Sequence, residues 1–146
     1  MSISASIDIS ILKNDIYDFS VEDLLNTMIS KNWRMKEKGK ICYLPLEDEL
    51  FDWKEEVISE IDLMEIISKK EQNKETIGII LYWKDTNIGV SMLIFQNYQI
   101  TFNIMINRLK LDNINIDITD VNWYFKEIIG CFDKFKIQEI NFNQTW

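Results

Sequence analysis

The chain has no histidine at all. That absence removes most zinc sites, most nucleophile–base triads and the commonest general base near neutral pH. Two cysteines, Cys42 and Cys131, stand apart without metal-ligand spacing, and each sits inside an apolar stretch. They read as buried free thiols of a reducing compartment, with a disulfide as the weaker alternative. There is no glycine-rich phosphate loop and no dinucleotide fingerprint, so neither a metal nor a cofactor is expected. No segment approaches the roughly 18 apolar residues of a membrane span. The opening MSISASIDIS alternates, where a secretory signal would carry a basic segment and then a long apolar run. A cytoplasmic protein is expected. Arg34 and Arg108 are the only arginines and neither lies in a basic cluster, which argues against nucleic acid as a partner.

Breakers are scarce as well. One proline, Pro45, and four glycines in 146 residues leave few loops with special backbone angles. With 47% apolar residues the chain has enough material for one core, and residues 1–146 read as a single domain.

What the sequence has in excess is negative charge in one place. Residues 46–71 hold ten carboxylates against three lysines, while the rest of the chain holds 14 acids and 13 bases; the overall charge is −8. The acidity is therefore local. An anionic membrane or nucleic acid would be repelled by it, and a basic partner is its natural complement.

Periodicity predicts the elements. Ile3, Ala5, Ile7, Ile9 and Ile11 alternate with polar residues as a half-buried strand does. Ser20, with Asp23 three residues on, predicts the start of a helix with Val21, Leu24, Leu25, Met28 and Ile29 as its apolar stripe, ending near Asn32. WRMKEKGKICYL reads as a hairpin turning at Lys38-Gly39, and Leu46–Glu56 as a loop or short helix. Ser59 predicts a second helix to about Gln72, with Ile61, Met64 and Ile67 on one side and Leu63 and Ile66 beside them. TIGIILYW, IGVSMLIF and QITFNIMINRLKL form a three-strand meander. A last helix is capped by Asp117 or Thr119 and buries Val121, Phe125, Ile128 and Phe132, and KIQEINFNQ closes the chain as a strand. The order β-α-β-β-α-β-β-β-α-β predicts an α+β fold, a mostly antiparallel sheet with helices packed on one face.

The candidate site is LEDELFDWKEEVISEIDLME, residues 46–65, with nine carboxylates and one lysine. A solvated surface with acids at a helix start accounts for Glu60 and Asp62. It does not account for Asp48, Glu49, Asp52, Glu55 and Glu56 interleaved with Leu50, Phe51 and Trp53. Apolar anchors among carboxylates suit a surface that binds a basic protein, the aromatics giving affinity and the charges steering and register. Trp53, flanked by charges, is expected to be exposed. Asp85, in the turn KDTN, is expected beside this surface. LEDELFD lacks the central glycine of a calcium loop, and many carboxylate pairs could serve a glycosidase without any one being singled out.

In its small size, acidity, lack of histidine and α+β layout, and in the blocks LPLEDELFDW, LYWKDTNIG and ITDVNWYF, the chain resembles the immunity proteins of bacterial polymorphic toxin and contact-dependent inhibition systems. The resemblance implies a non-enzymatic binder that occludes a cognate basic toxin domain, often a nuclease, inside the producing cell. The alternatives are a carboxylate-dependent hydrolase and an accessory or scaffold protein.

Overall fold

The computed structural model describes residues 2–12 and 19–146. The first alternating segment forms β1 (Ser4–Ile11), burying Ala5, Ile7, Ile9 and Ile11 and turning its serines and Asp8 to the other side. Helix α1 (Val21–Ser30) starts where its cap predicts: the Ser20 side chain accepts the Asp23 N–H at 3.3 Å, and Val21, Leu24, Leu25 and Met28 are buried. Two short strands, β2 (Trp33–Arg34) and β3 (Lys36–Glu37), lead into a two-residue turn and β4 (Lys40–Tyr43). Both turn residues are left-handed, Lys38 at φ 52° and Gly39 at φ 78°, as the tightest hairpin connection requires.

Strand β5 (Lys54–Glu56) follows the acidic loop, which contains no helix. Helix α2 (Glu60–Gln72) is capped by Ser59, whose hydroxyl accepts the Asp62 N–H at 3.0 Å. The meander is β6 (Ile77–Trp83), β7 (Gly89–Ile94) and β8 (Gln99–Ile106). Helix α3 (Val121–Tyr124) runs on through a π-helical turn (Phe125–Ile129) and a 3-10 turn (Gly130–Phe132) to β9 (Ile137–Thr145).

The strands make one nine-stranded antiparallel sheet in the order β3-β4-β6-β7-β8-β1-β9, with β2 also on β6 and β5 on the outer side of β4. The architecture is α+β, with helices packed on one face. Ile7, Ile9, Ile79, Leu81, Met92, Ile100 and Phe102 on that face meet α1, α2 and the last helix in a single core. Over β8, β1 and β9 the opposite face is largely polar: the Thr101 hydroxyl donates to Asp8 at 2.6 Å, and the Asn143 amide donates to it at 3.3 Å.

The last helix departs from its predicted stripe. Its cap is Asp120, which accepts the Trp123 N–H at 3.4 Å. Asp117 instead pairs with the nearly buried Arg108 at 2.5 Å, and Thr119 is buried, accepting from Arg108 at 3.0 Å. The departure comes in the first turn, ahead of the π-helical turn: Tyr124 takes the inner place, its hydroxyl accepting the Leu109 N–H at 2.8 Å. The buried set is Tyr124, Ile128, Cys131 and Phe132, while Val121 and Phe125 sit half-buried. Both cysteines are free thiols, Cys131 buried and Cys42 half-buried; burial pushes the Cys131 thiol up to about 11.

Glu71 ties α2 to the rest. Its carboxylate oxygens each lie 3.4 Å from the Val21 N–H at the start of α1, and Tyr98 donates to it at 3.4 Å. Burial raises this carboxyl above its ordinary value, against the pull of those hydrogen bonds. A carboxyl raised in this way holds its proton more tightly in the folded chain. Its contribution favours the fold in acid and is lost as pH rises from the ordinary carboxyl value through the raised one. Urea midpoints of wild type and Glu71→Gln should therefore converge near pH 4, with the variant gaining on wild type as the pH is raised to 7. A constant difference across that range would contradict the assignment.

Candidate functional site: the acidic loop between β4 and α2

The chain leaves the sheet at Leu44, and a buried lysine fixes how it leaves. Lys70 lies on the buried side of α2, at i+7 from Leu63, and is only 1% exposed. Its ammonium donates to the Leu44 carbonyl at 3.0 Å and the Pro45 carbonyl at 2.7 Å. Burial lowers its pKa, while Glu75, 4.0 Å away, and Asp48 favour the charged form. Glu75 also accepts the Glu47 N–H at 2.7 Å. The loop is thus moored to the end of α2 and to the connection that starts β6.

Beyond Glu47 the loop organises itself. Asp48 turns its carboxylate inward, accepting the Phe51 N–H at 3.0 Å and the Asp52 N–H at 2.8 Å. Glu47 (φ 63°) and Phe51 (φ 56°) are left-handed, an uncommon conformation for non-glycine residues and a strained one for a bulky aromatic. The result pushes apolar side chains outward: Leu50 is 78% and Phe51 49% exposed. Across β5, Val57 and Ile61 are each 80% exposed. The spacing Ile61–Met64–Ile67 predicts Ile61 on the inner stripe, yet the buried side of α2 is Leu63, Ile67 and Lys70. A lysine at i+7 from a buried leucine is the signal for this rotation.

The residues singled out in the acidic region and the turn after β6 thus separate by role. Glu49, Asp52 and Glu55 are exposed. Among the described residues, no carboxylate of residues 46–65 except Glu56 has an ionic partner. Glu56 is engaged within the fold. It accepts a hydrogen bond from the buried Tyr43 hydroxyl and pairs with Lys54 at 3.0 Å, and these contacts hold its carboxyl below its ordinary value. The same carboxylate, after burial itself, drives the Tyr43 phenol up to about 12.

Trp53 is not the free aromatic its charged neighbours suggest. It is half-buried, with its ring tip over Gly78 on the sheet face away from the helices, beside the buried Leu44. A Cβ at Gly78 would stand 2.7 Å from Leu44 and 2.9 Å from Trp53, so a glycine inside a strand marks the close approach. Asp85 is not brought to the loop. It sits in the turn after Trp83, whereas the loop is moored at the Gly78 end of β6; six residues of strand put these ends roughly 20 Å apart. Arg34 holds that turn, donating to the Thr86 carbonyl at 2.9 Å and to Glu37 at 2.9 Å.

The acidic surface extends beyond the segment that the sequence marks. Glu22 of α1 joins Glu60, Ile61, Met64 and Glu65 of α2 around a groove of about 480 Å³. Nothing in the periodicity links Glu22 to the acidic segment; only the packing of α1 on α2 brings it there. No family profile, curated protein or solved structure matches the chain.

Two outcomes test this construction. Lys70→Met leaves the Leu44 and Pro45 carbonyls without their donor, and should lower unfolding free energy by about 2–3 kcal/mol while speeding amide exchange at Glu47. Gly78→Ala should cost about 1–3 kcal/mol by overpacking and move Trp53 emission to the red as the ring is displaced. An unshifted spectrum would mean that the ring does not rest on Gly78.

Proposed function

We propose that the protein is a cytoplasmic immunity protein that binds a cognate basic toxin domain, with a nuclease as the expected class, and occludes its active site. One observation carries the reading. Half of the large exposed hydrophobic side chains among the described residues, Leu46, Leu50, Phe51, Val57 and Ile61, fall in one short stretch, interleaved with carboxylates that lack ionic partners. A surface serving only for solubility has no use for exposed aliphatic and aromatic groups. Carboxylates alone give attraction without affinity, and apolar groups alone invite indiscriminate contact. Together they supply steering, register and anchors.

A nuclease site is positive because it holds phosphate, so the field that attracts its substrate also attracts Glu49, Asp52 and Glu55. Attraction of this kind accelerates encounter, which suits a protein that must neutralise a toxin quickly. Leu50 and Phe51 replace Trp53 as the anchors, since they project to solvent while Trp53 rests on the sheet. Among the described residues no group of His, Cys, Asp or Glu is arranged to hold a metal, and no helix is long and apolar enough to cross a membrane.

The test begins with capture of the partner from the native strain and its identification by mass spectrometry. Binding is then followed at two salt concentrations. Glu49→Gln, Asp52→Asn and Glu55→Gln together should slow association and flatten its salt dependence with the fold intact. Phe51→Ala should speed dissociation, by about 2 kcal/mol for a central anchor. An association rate and salt slope untouched by the triple substitution would falsify the reading.

A further inference from the structure

The two edges of the sheet are built differently. At one edge stands β5, three residues long and made up of Lys54, Glu55 and Glu56. Short, charged strands are the usual means of keeping an edge from pairing with another chain. At the other edge stands β9, IQEINFNQT, nine residues with a single charge, Glu139, and neither proline nor lysine. A register shift at its start affects only the first residues, and Glu139–Thr145 pairs with β1 without a break. Among the described residues no strand pairs with its outer side.

We propose that β9 is a homodimer interface, pairing antiparallel with β9 of a second copy across a two-fold axis and joining the two sheets into one. Antiparallel pairing of identical strands is self-complementary, so one surface serves both copies. Charge selects the second copy as occupant. In a chain of net charge −8, residues 134–146 carry Lys134, Lys136 and Glu139 and no other charged side chain, so here two copies meet with least repulsion. The acidic loop lies six strand spacings away, roughly 29 Å, and the dimer keeps the two loops at its outer ends.

The ends of the strand also match. The loop after β8 is fastened to the end of β9, the Asp117 carbonyl accepting from Gln144 at 2.7 Å and from the Trp146 indole at 2.7 Å. That loop carries Asp112, exposed and without an ionic partner among the described residues, together with exposed Leu111, Ile114 and Ile116. Antiparallel pairing brings the Lys134–Lys136 end of each copy to this loop of the other, twice by symmetry. A register centred on Asn141 sets Ile140 opposite Phe142 of the second copy, a favourable cross-strand pair, and keeps the two Glu139 side chains apart.

Asn141 is exposed and lies opposite Asp8 on β1, so Asn141→Lys is compatible with the fold and sets two ammoniums face to face at the axis. Sedimentation equilibrium of the protein alone should give twice the 17.5 kDa chain mass at micromolar concentration. Asn141→Lys should weaken the dimer by about tenfold or more with an unchanged circular dichroism spectrum. Mixing Asn141→Lys with Asn141→Glu chains should restore a dimer containing one of each. A monomer at every concentration, or a dimer indifferent to both substitutions, overturns the proposal. No toxin enters the experiment, so its result is independent of the acidic loop's role.

Discussion

The ammonium of Lys70 sits where water does not reach, and the carbonyls of Leu44 and Pro45 stand in for its hydration shell. A buried charge without such partners is expensive enough to expel or neutralise itself. Met by two carbonyls and by the Glu75 carboxylate at 4.0 Å, it becomes a fixed point instead. From that point the chain leaves β4, Glu47 reaches Glu75, Asp48 folds the loop on itself, and Phe51 is turned outward. One positive charge under the loop also lessens the mutual repulsion of the carboxylates above it, which lets so acidic a segment keep one shape.

The elements with strong periodicity are legible in the amino-acid sequence. Ser20 and Ser59 cap the helices they are expected to cap, Lys38-Gly39 makes the hairpin turn, and the three meander strands pair in sequence order. What escapes the sequence pattern is decided by packing between distant segments. The Tyr124 hydroxyl accepts the Leu109 N–H from a segment outside its helix, a contact with no mark in the periodicity, and Tyr124 is buried where Val121 and Phe125 are expected. The sequence neighbours of Trp53 are charged and suggest exposure, while its spatial neighbours are Leu44 and Gly78. Charge alone groups Asp85 with the loop, and the length of β6 separates them. Glu22 reaches the acidic surface only through the packing of α1 against α2.

The molecule is consequently polarised along its sheet. One edge is short-stranded and charged and supports the acidic loop; the other is long and nearly neutral, with no strand on its outer side among the described residues. The two faces differ as well, one sealed by helices and the other lined over β8, β1 and β9 mainly by serine, threonine and asparagine, with Leu44 and Trp53 over β6. Hydrogen bonds such as Thr101 to Asp8 hold the exposed face in register without apolar cover.

Three of the five tryptophans meet at one end of this arrangement. Trp33, Trp83 and Trp123 stand edge to face, with ring centroids 5.3, 5.5 and 6.3 Å apart. Rings this close and steeply inclined share one environment, so the optical signal of the trio follows the packing of that end of the fold. Trp53 lies toward the other end of β6, about 16 Å along the strand from Trp83, too far to join it. Apart from exposed Trp146, the protein therefore carries a clustered reporter for the folded body and a solitary one for the seating of the acidic loop.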